Sequence, residues 1–313
     1  LALKSEFAKN FRRGPNCMMS APQAFLSGDV SKVSVDDVFV NWFSDTLAHE
    51  IGHSLGLTHN FKGSFDRANF EFAGEKTGRE YSSVMDYKPA SHTDYRKPGP
   101  YDVHALRAAY AGLVEVGEAV KKAARDEKGQ KVIVVQTPEN QNVKIVLNQG
   151  QFIALEDLKN ILVPARLDAN GKSVKSFWDL NASMLARFPL KAHGFCTDID
   201  VGGDPTCARW DAGTTPQEVA QFYIDDYKAM YPVLNARNSR INGVGFGSYF
   251  YRTLMAQMNM RSFLDEALYQ LIQGQPQEVW VPYAIGAWAG MNQLLETVTT
   301  PNVNLGVFDP ARF

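Results

Sequence analysis

Residues 49–59 read His49-Glu50-Ile51-Gly52-His53-Ser54-Leu55-Gly56-Leu57-Thr58-His59, and the spacing of their polar members restricts the local fold severely. An α-helix turns 3.6 residues per turn, so positions four apart lie on one face, one turn from each other. His49 and His53 can therefore point at one ion from adjacent turns. Glu50 is rotated about 100° from His49 around the helix axis. It reaches the same region without being a ligand, which suits a general base. Gly56 accepts the left-handed backbone conformation, so the helix can stop there and the chain reverse. That reversal brings His59 back toward the ion as a third ligand. Three imidazoles suit zinc, and three protein ligands leave a fourth position open, as in a catalytic rather than a closed structural site.

A second element follows downstream, Ser83-Val84-Met85-Asp86-Tyr87. It reads S-x-M-x-Y and has the form of a Met-turn, the tight turn that sets a methionine beneath zinc-binding histidines. With both motifs in this order, the chain resembles the metzincin clan of zinc endopeptidases. More closely it is similar to large, secreted or envelope-associated bacterial metalloproteases of the Met-zincin type. The resemblance is firm over residues 36–112 and looser beyond.

It implies that His49, His53 and His59 bind Zn2+, that Glu50 is the base and that Met85 forms the turn. Tyr87 stands where the astacin and serralysin types place a tyrosine that ligates zinc at rest and then stabilises the oxyanion. The implied activity is peptide-bond hydrolysis through a zinc-bound water with Glu50 as general base, on a protein or peptide substrate. The alternative is a zinc-binding, non-catalytic envelope or binding module, against which the intact Glu50 counts. The expected fold class is α+β, predominantly helical: an active-site helix and Met-turn, then a mixed insert and a helical C-terminal region. A change of sequence character near residue 115 suggests a catalytic region over 1–114 and a second region over 115–313.

Composition narrows the partners. Hydrophobic residues make up 45% of the chain and charged residues 21%, which suits a folded protein rather than a disordered one. The net charge of −2 offers no basic field for nucleic acid. No apolar run approaches the roughly 18 residues of a spanning helix. The chain begins at Leu1, and about 35 residues precede the zinc helix. Metzincin domains place several strands there, including an edge strand that binds substrate. An upstream part of the same polypeptide is therefore an expected partner.

Cys196 and Cys207 close a short loop rich in Asp, Gly and Pro, which reads as a disulfide and so as an oxidising compartment. Together with the resemblance this implies a secreted, periplasmic or cell-envelope protein. Cys17 is left over. Asp198, Asp200 and Asp204 in the same loop resemble part of a Ca2+ site. Position 12 counted from Asp198 is Arg209 rather than Glu, so turn-capping is the preferred reading of these aspartates.

Elsewhere the pattern predicts extended segments at 21–26 and 30–35 and a helix from Ser34 or Asp36 to Leu55. It predicts a loop over 60–82 and a helix at 101–110 ended by Gly112. A charged helix at 118–125, a hairpin of 131–136 with 142–147, and a strand at 181–188 follow. Three helices are expected at about 216–230, 247–273 and 279–298. The close-set glycines of 241–247 read as a turn. His92, His104 and His193 each stand alone and read as ordinary surface or core positions; His92 and Tyr95 follow the Met-turn closely enough to line a substrate pocket.

Overall fold

The structure, a computed structural model, describes residues 35–87, 97–117, 125–136, 142–149, 151–176, 179, 182–185, 188–234 and 246–299. The expected extended segments before Val35, Cys17, His92, Tyr95, the helix over 118–124, the tip of the hairpin and the glycine turn over 241–245 lie outside these residues.

Helices and small antiparallel sheets combine in an α+β architecture. The chain divides into two compact units, one made of Leu1–Pro100 with Gly194–Phe313 and the other of Tyr101–His193. These units differ from the division drawn at 114/115. The reason is burial: Val114 and Val116 join one core with residues up to Phe188, and Ala108 packs against the same core.

In the first unit, helix α1 spans Val35–Ser54 and carries the motif in its second half. An irregular segment with a single 3-10 turn at Arg67–Asn69 follows, as the polar, glycine-containing sequence requires. Three long helices come later in the chain: α5 (Pro216–Leu234), α6 (Phe246–Ile272) and α7 (Gln277–Thr299). They pack around Val219, Ala220, Ile224 and Tyr227 of α5, Met260 and Phe263 of α6, and Ala287 and Leu294 of α7. Glycine permits this closeness. A Cβ on Gly290 would stand 2.0 Å from Met260 Sδ, and one on Gly286 would stand 3.2 Å from Ala220 Cβ. Phe65, from the segment after the motif, packs against this core and ties the motif to the helices.

The second unit opens with α2 (Pro100–Ala111), ended by Gly112 at φ 63°. Strand β1 (Leu113–Glu115) pairs antiparallel with β4 (Phe152–Ala154). Strands β2 (Val132–Gln136) and β3 (Asn142–Val146) form the expected hairpin, Val132 facing Val146 and Gln136 facing Asn142. Helix α3 (Leu155–Leu162) places Glu156 and Asp157 in its first turn, where they complement the helix dipole, and buries Leu158 and Leu162 one turn apart. A two-residue pair, β5 (Arg166–Leu167) with β6 (Ser173–Val174), stands apart from the other sheets. The strand expected at 181–188 is instead a helical turn, α4 (Ala182–Leu185). Met184 and Leu185 within it both pack on the core as consecutive residues of a turn, which an alternating strand would not allow.

Candidate metal centre

The local fold of the motif follows from its one glycine that needs a left-handed backbone. Gly56 has φ +89°. Its N–H donates to His53 O at 2.9 Å, and the Leu57 N–H donates to Gly52 O at 3.0 Å. This pair of bonds is a Schellman cap: it satisfies the last carbonyls of α1 and turns the chain back on itself. His59 thereby returns to the helix face bearing His49 and His53. The ring centroids stand 4.7 Å apart for His49 and His53, 4.8 Å for His53 and His59, and 5.3 Å for His49 and His59. A ligand nitrogen from each lies within 4.8 Å of the others.

All three rings are oriented the same way, from outside. His49 Nδ1 donates to Val84 O at 2.8 Å, His53 Nδ1 to Leu57 O at 2.9 Å, and His59 Nδ1 to Asp198 Oδ2 at 2.5 Å. These partners fix the tautomer, because a donating Nδ1–H leaves a lone pair on Nε2. His53 Nε2 and His59 Nε2 then face each other at 3.2 Å. Two imidazole lone pairs this close repel, and a cation between them removes the repulsion. Zinc–nitrogen bonds of about 2.0–2.1 Å in a tetrahedron set neighbouring nitrogens roughly 3.4 Å apart. The donor set and its spacing fit zinc.

The other motif residues lie around this cluster. Glu50 is exposed on the helix beside the fully buried His49. Met85 is fully buried, and a Cβ on Gly52 would meet its Sδ at 2.3 Å, so the turn packs directly on α1 through the missing side chain. The Asn60 N–H donates to Met85 O at 3.1 Å, which joins the turn to the chain just after His59. Tyr87 Oη lies 3.1 Å from His59 Nε2. Beneath them Asp86 Oδ2 accepts the Ser64 N–H at 2.6 Å, and Ser64 Oγ donates to Asp211 Oδ1 at 3.3 Å. Burial first, and the neighbouring Asp86 charge second, push the Asp211 carboxyl well above its ordinary range.

The disulfide loop buttresses the centre, a role that local sequence pattern does not reveal. Cys196 and Cys207 are bonded and pack with Phe61 and Tyr87 in one small core. The Phe61 N–H donates to Cys196 O at 2.9 Å, and the Trp210 N–H donates to Tyr87 O at 2.9 Å. Trp210 also stacks on the Tyr87 ring at 4.9 Å. Asp198 is held on its far side by Arg209. Burial pushes the Asp198 carboxyl up, but hydrogen bonds from His59 and Arg209 outweigh it and hold the carboxyl below its ordinary value.

Each loop aspartate has a partner of its own within the protein, as the turn-capping reading expects. Asp198 serves His59 and Arg209, Asp200 accepts the Thr197 N–H at 2.9 Å, and Asp204 holds Lys62 Nζ at 2.5 Å. Among the described residues the loop forms no three-membered ligand group.

Residues 32–142 match the Met-zincin family model. The match supports a metzincin-clan zinc metalloprotease. Searches of curated proteins and of solved structures give no match. The Met-zincin segment contains His49, Glu50, His53, His59, Met85 and Tyr87. Asp198, Trp210 and the disulfide lie outside it. The disulfide is legible in the sequence, but the roles of Asp198 and Trp210 at the centre are not, because 139 residues separate Asp198 from the histidine it orients.

Proposed function

We propose that this protein is a zinc-dependent endopeptidase with His49, His53 and His59 as metal ligands and Glu50 as general base. The observation that carries this reading is the shared orientation of the three imidazoles, each Nδ1 held by an acceptor so that each Nε2 lone pair is available to one cation. Zinc in that position supplies a Lewis acid that polarises a carbonyl and lowers the pKa of water toward 7. Glu50, exposed one residue from a ligand, takes the proton from the attacking water and returns it to the leaving amine. Tyr87, with its hydroxyl 3.1 Å from His59 Nε2, is placed to donate a hydrogen bond to the oxyanion as it forms. Met85 supports the ligands through its contact with Gly52 and is a positioning residue rather than a catalytic one.

The disulfide supports a secreted, periplasmic or envelope location, where such bonds persist. No helix among the described residues is long and apolar enough to cross a membrane. The substrate class is an unfolded or extended protein segment, since a metal centre of this kind acts on a backbone amide.

The reading is tested with the full chain and a denatured general protein substrate. Chelation abolishes cleavage, one equivalent of zinc restores it, and mass spectrometry of the products finds new amino termini within the substrate. Cleavage that persists after zinc is removed and stays removed contradicts the proposal.

A further inference from the structure

The second unit contains another group of metal-ligating side chains, built from residues far apart in sequence. His104 lies on α2, Glu115 ends β1 and His193 closes the unit. Gly112 turns the chain out of α2 directly into β1, which returns Glu115 toward the helix. The segment before His193 runs beside β1. The Gly117 N–H donates to Pro189 O at 2.8 Å, and the Lys191 N–H donates to Glu115 O at 2.9 Å. Backbone pairing therefore fixes where His193 emerges, and its ring lies 4.4 Å from that of His104, tilted by 34°.

One ligand atom from each of His104, Glu115 and His193 lies within 4.8 Å of the other two. From this juxtaposition we infer a second metal site, a two-histidine, one-carboxylate site for a divalent transition ion such as zinc. Ligand atoms around a bound ion stand roughly 3–4 Å apart, so assembly needs the side chains to close gaps of up to about 1–2 Å.

A second observation points the same way. Both ring nitrogens of His193 are buried, and neither has a hydrogen-bond partner among the described residues. Buried polar atoms are almost always bonded, so an imidazole of this kind calls for a missing partner. A cation takes its lone pair. Two imidazoles and a carboxylate form a donor set of the kind that binds iron, zinc and neighbouring ions.

Lys191 is the competitor. Its Nζ lies 3.4 Å from Glu115 Oε2. A carboxylate has two oxygens, so Glu115 can keep Lys191 on one and a metal on the other. The nearby cation of Arg107 is engaged elsewhere, over the Phe152 ring at 4.4 Å. The two histidines, one carboxylate and one competing ammonium predict a site weaker than the first and strengthened by loss of the lysine.

The experiment uses the full chain carrying His53→Ala and His59→Ala, so that the first centre contributes no metal. Zn2+ and Co2+ binding are followed by calorimetry, and the Co2+ form by its visible absorption. The inference predicts one equivalent bound with histidine-to-cobalt absorption. Adding Glu115→Gln, which preserves shape, weakens binding at least about 100-fold, above the ~10–100-fold loss of an outer partner. Adding Lys191→Gln instead tightens it. His193→Ala abolishes it, with circular dichroism checking that the chain remains folded. A folded first-centre variant that binds no metal overturns the inference. So does binding that Glu115→Gln leaves unchanged.

Discussion

The two histidine clusters reach similar geometry by opposite routes. His49, His53 and His59 sit within one eleven-residue motif, and a helix with a glycine cap brings them together. His104, Glu115 and His193 span most of their unit, and only strand pairing brings them together. A metal site written in local geometry can be read from spacing, because helix periodicity and one left-handed residue determine where the side chains go. A site written in tertiary pairing leaves no spacing to read.

The two clusters differ also in their outer partners. Each imidazole of the first donates to a named acceptor, whereas His193 in the second has none among the described residues. The first is held in place by acceptors of the protein itself; the second, on the inference above, would gain its order from a bound metal.

Variants probe the contrast between the two clusters. The largest effect belongs to the ligands of the first cluster. His59→Ala removes one of three nitrogens and lowers zinc affinity by more than the ~10–100-fold expected of an outer partner. Competition with a chromophoric chelator measures it, and an unchanged affinity means that His59 is not a ligand. Removing the disulfide with Cys196→Ser and Cys207→Ser comes next. A bridge closing so short a loop contributes about 2–4 kcal/mol, read as a lower thermal midpoint. Zinc affinity falls with it, because Asp198 rides on that loop; an affinity that stays constant separates the loop from the centre.

Asp198→Asn keeps the shape and removes the charge behind His59. It costs about 10–100-fold in zinc affinity, measured as above. Equal affinity in the variant makes Asp198 a surface residue only. Gly52→Ala pushes a methyl into Met85 Sδ and destabilises by about 1–3 kcal/mol in denaturant titration. Gly52→Ala together with Met85→Ala recovers part of that loss, since the clash then disappears.

The smallest effect is electrostatic. Burial raises the Asp204 carboxyl, but its bonds with Lys62 and Thr206 outweigh this and leave it below its ordinary value of 3.8. A depressed carboxylate contributes stability that is fully present above that value and lost as pH falls through the folded one. Lys62→Met should therefore cost on the order of 1 kcal/mol at neutral pH, since the pair is partly solvated. The difference from wild type should shrink below about pH 4. A difference that stays constant down to pH 2 assigns it to packing on Phe65, which Lys62 Nζ overlies at 5.1 Å.

Much of the first centre was legible because its chemistry and its helix share one stretch of chain. The helix Val35–Ser54, the reversal at Gly56 and the return of His59 all follow from residue type and spacing. The hairpin of β2 and β3 and the three long C-terminal helices were legible from alternation and periodicity. Helix α3 was not anticipated, because eight residues with two buried leucines carry too short a pattern. The 181–188 segment misled because four apolar residues near Leu185 fit a strand as well as a turn, and only packing on the core decides. Asp198 was read as a turn residue, since nothing local distinguishes an aspartate that caps a loop from one that orients a distant histidine.

Glu50→Gln in the full chain separates metal binding from hydrolysis when zinc content and cleavage of a denatured protein are measured on the same preparation. The wild-type first centre is expected to bind one zinc and cleave, and the variant to keep this zinc but lose about 10²–10⁴-fold in rate, the range of a general base. A variant that retains its zinc and cleaves at the wild-type rate rules out Glu50 as the general base.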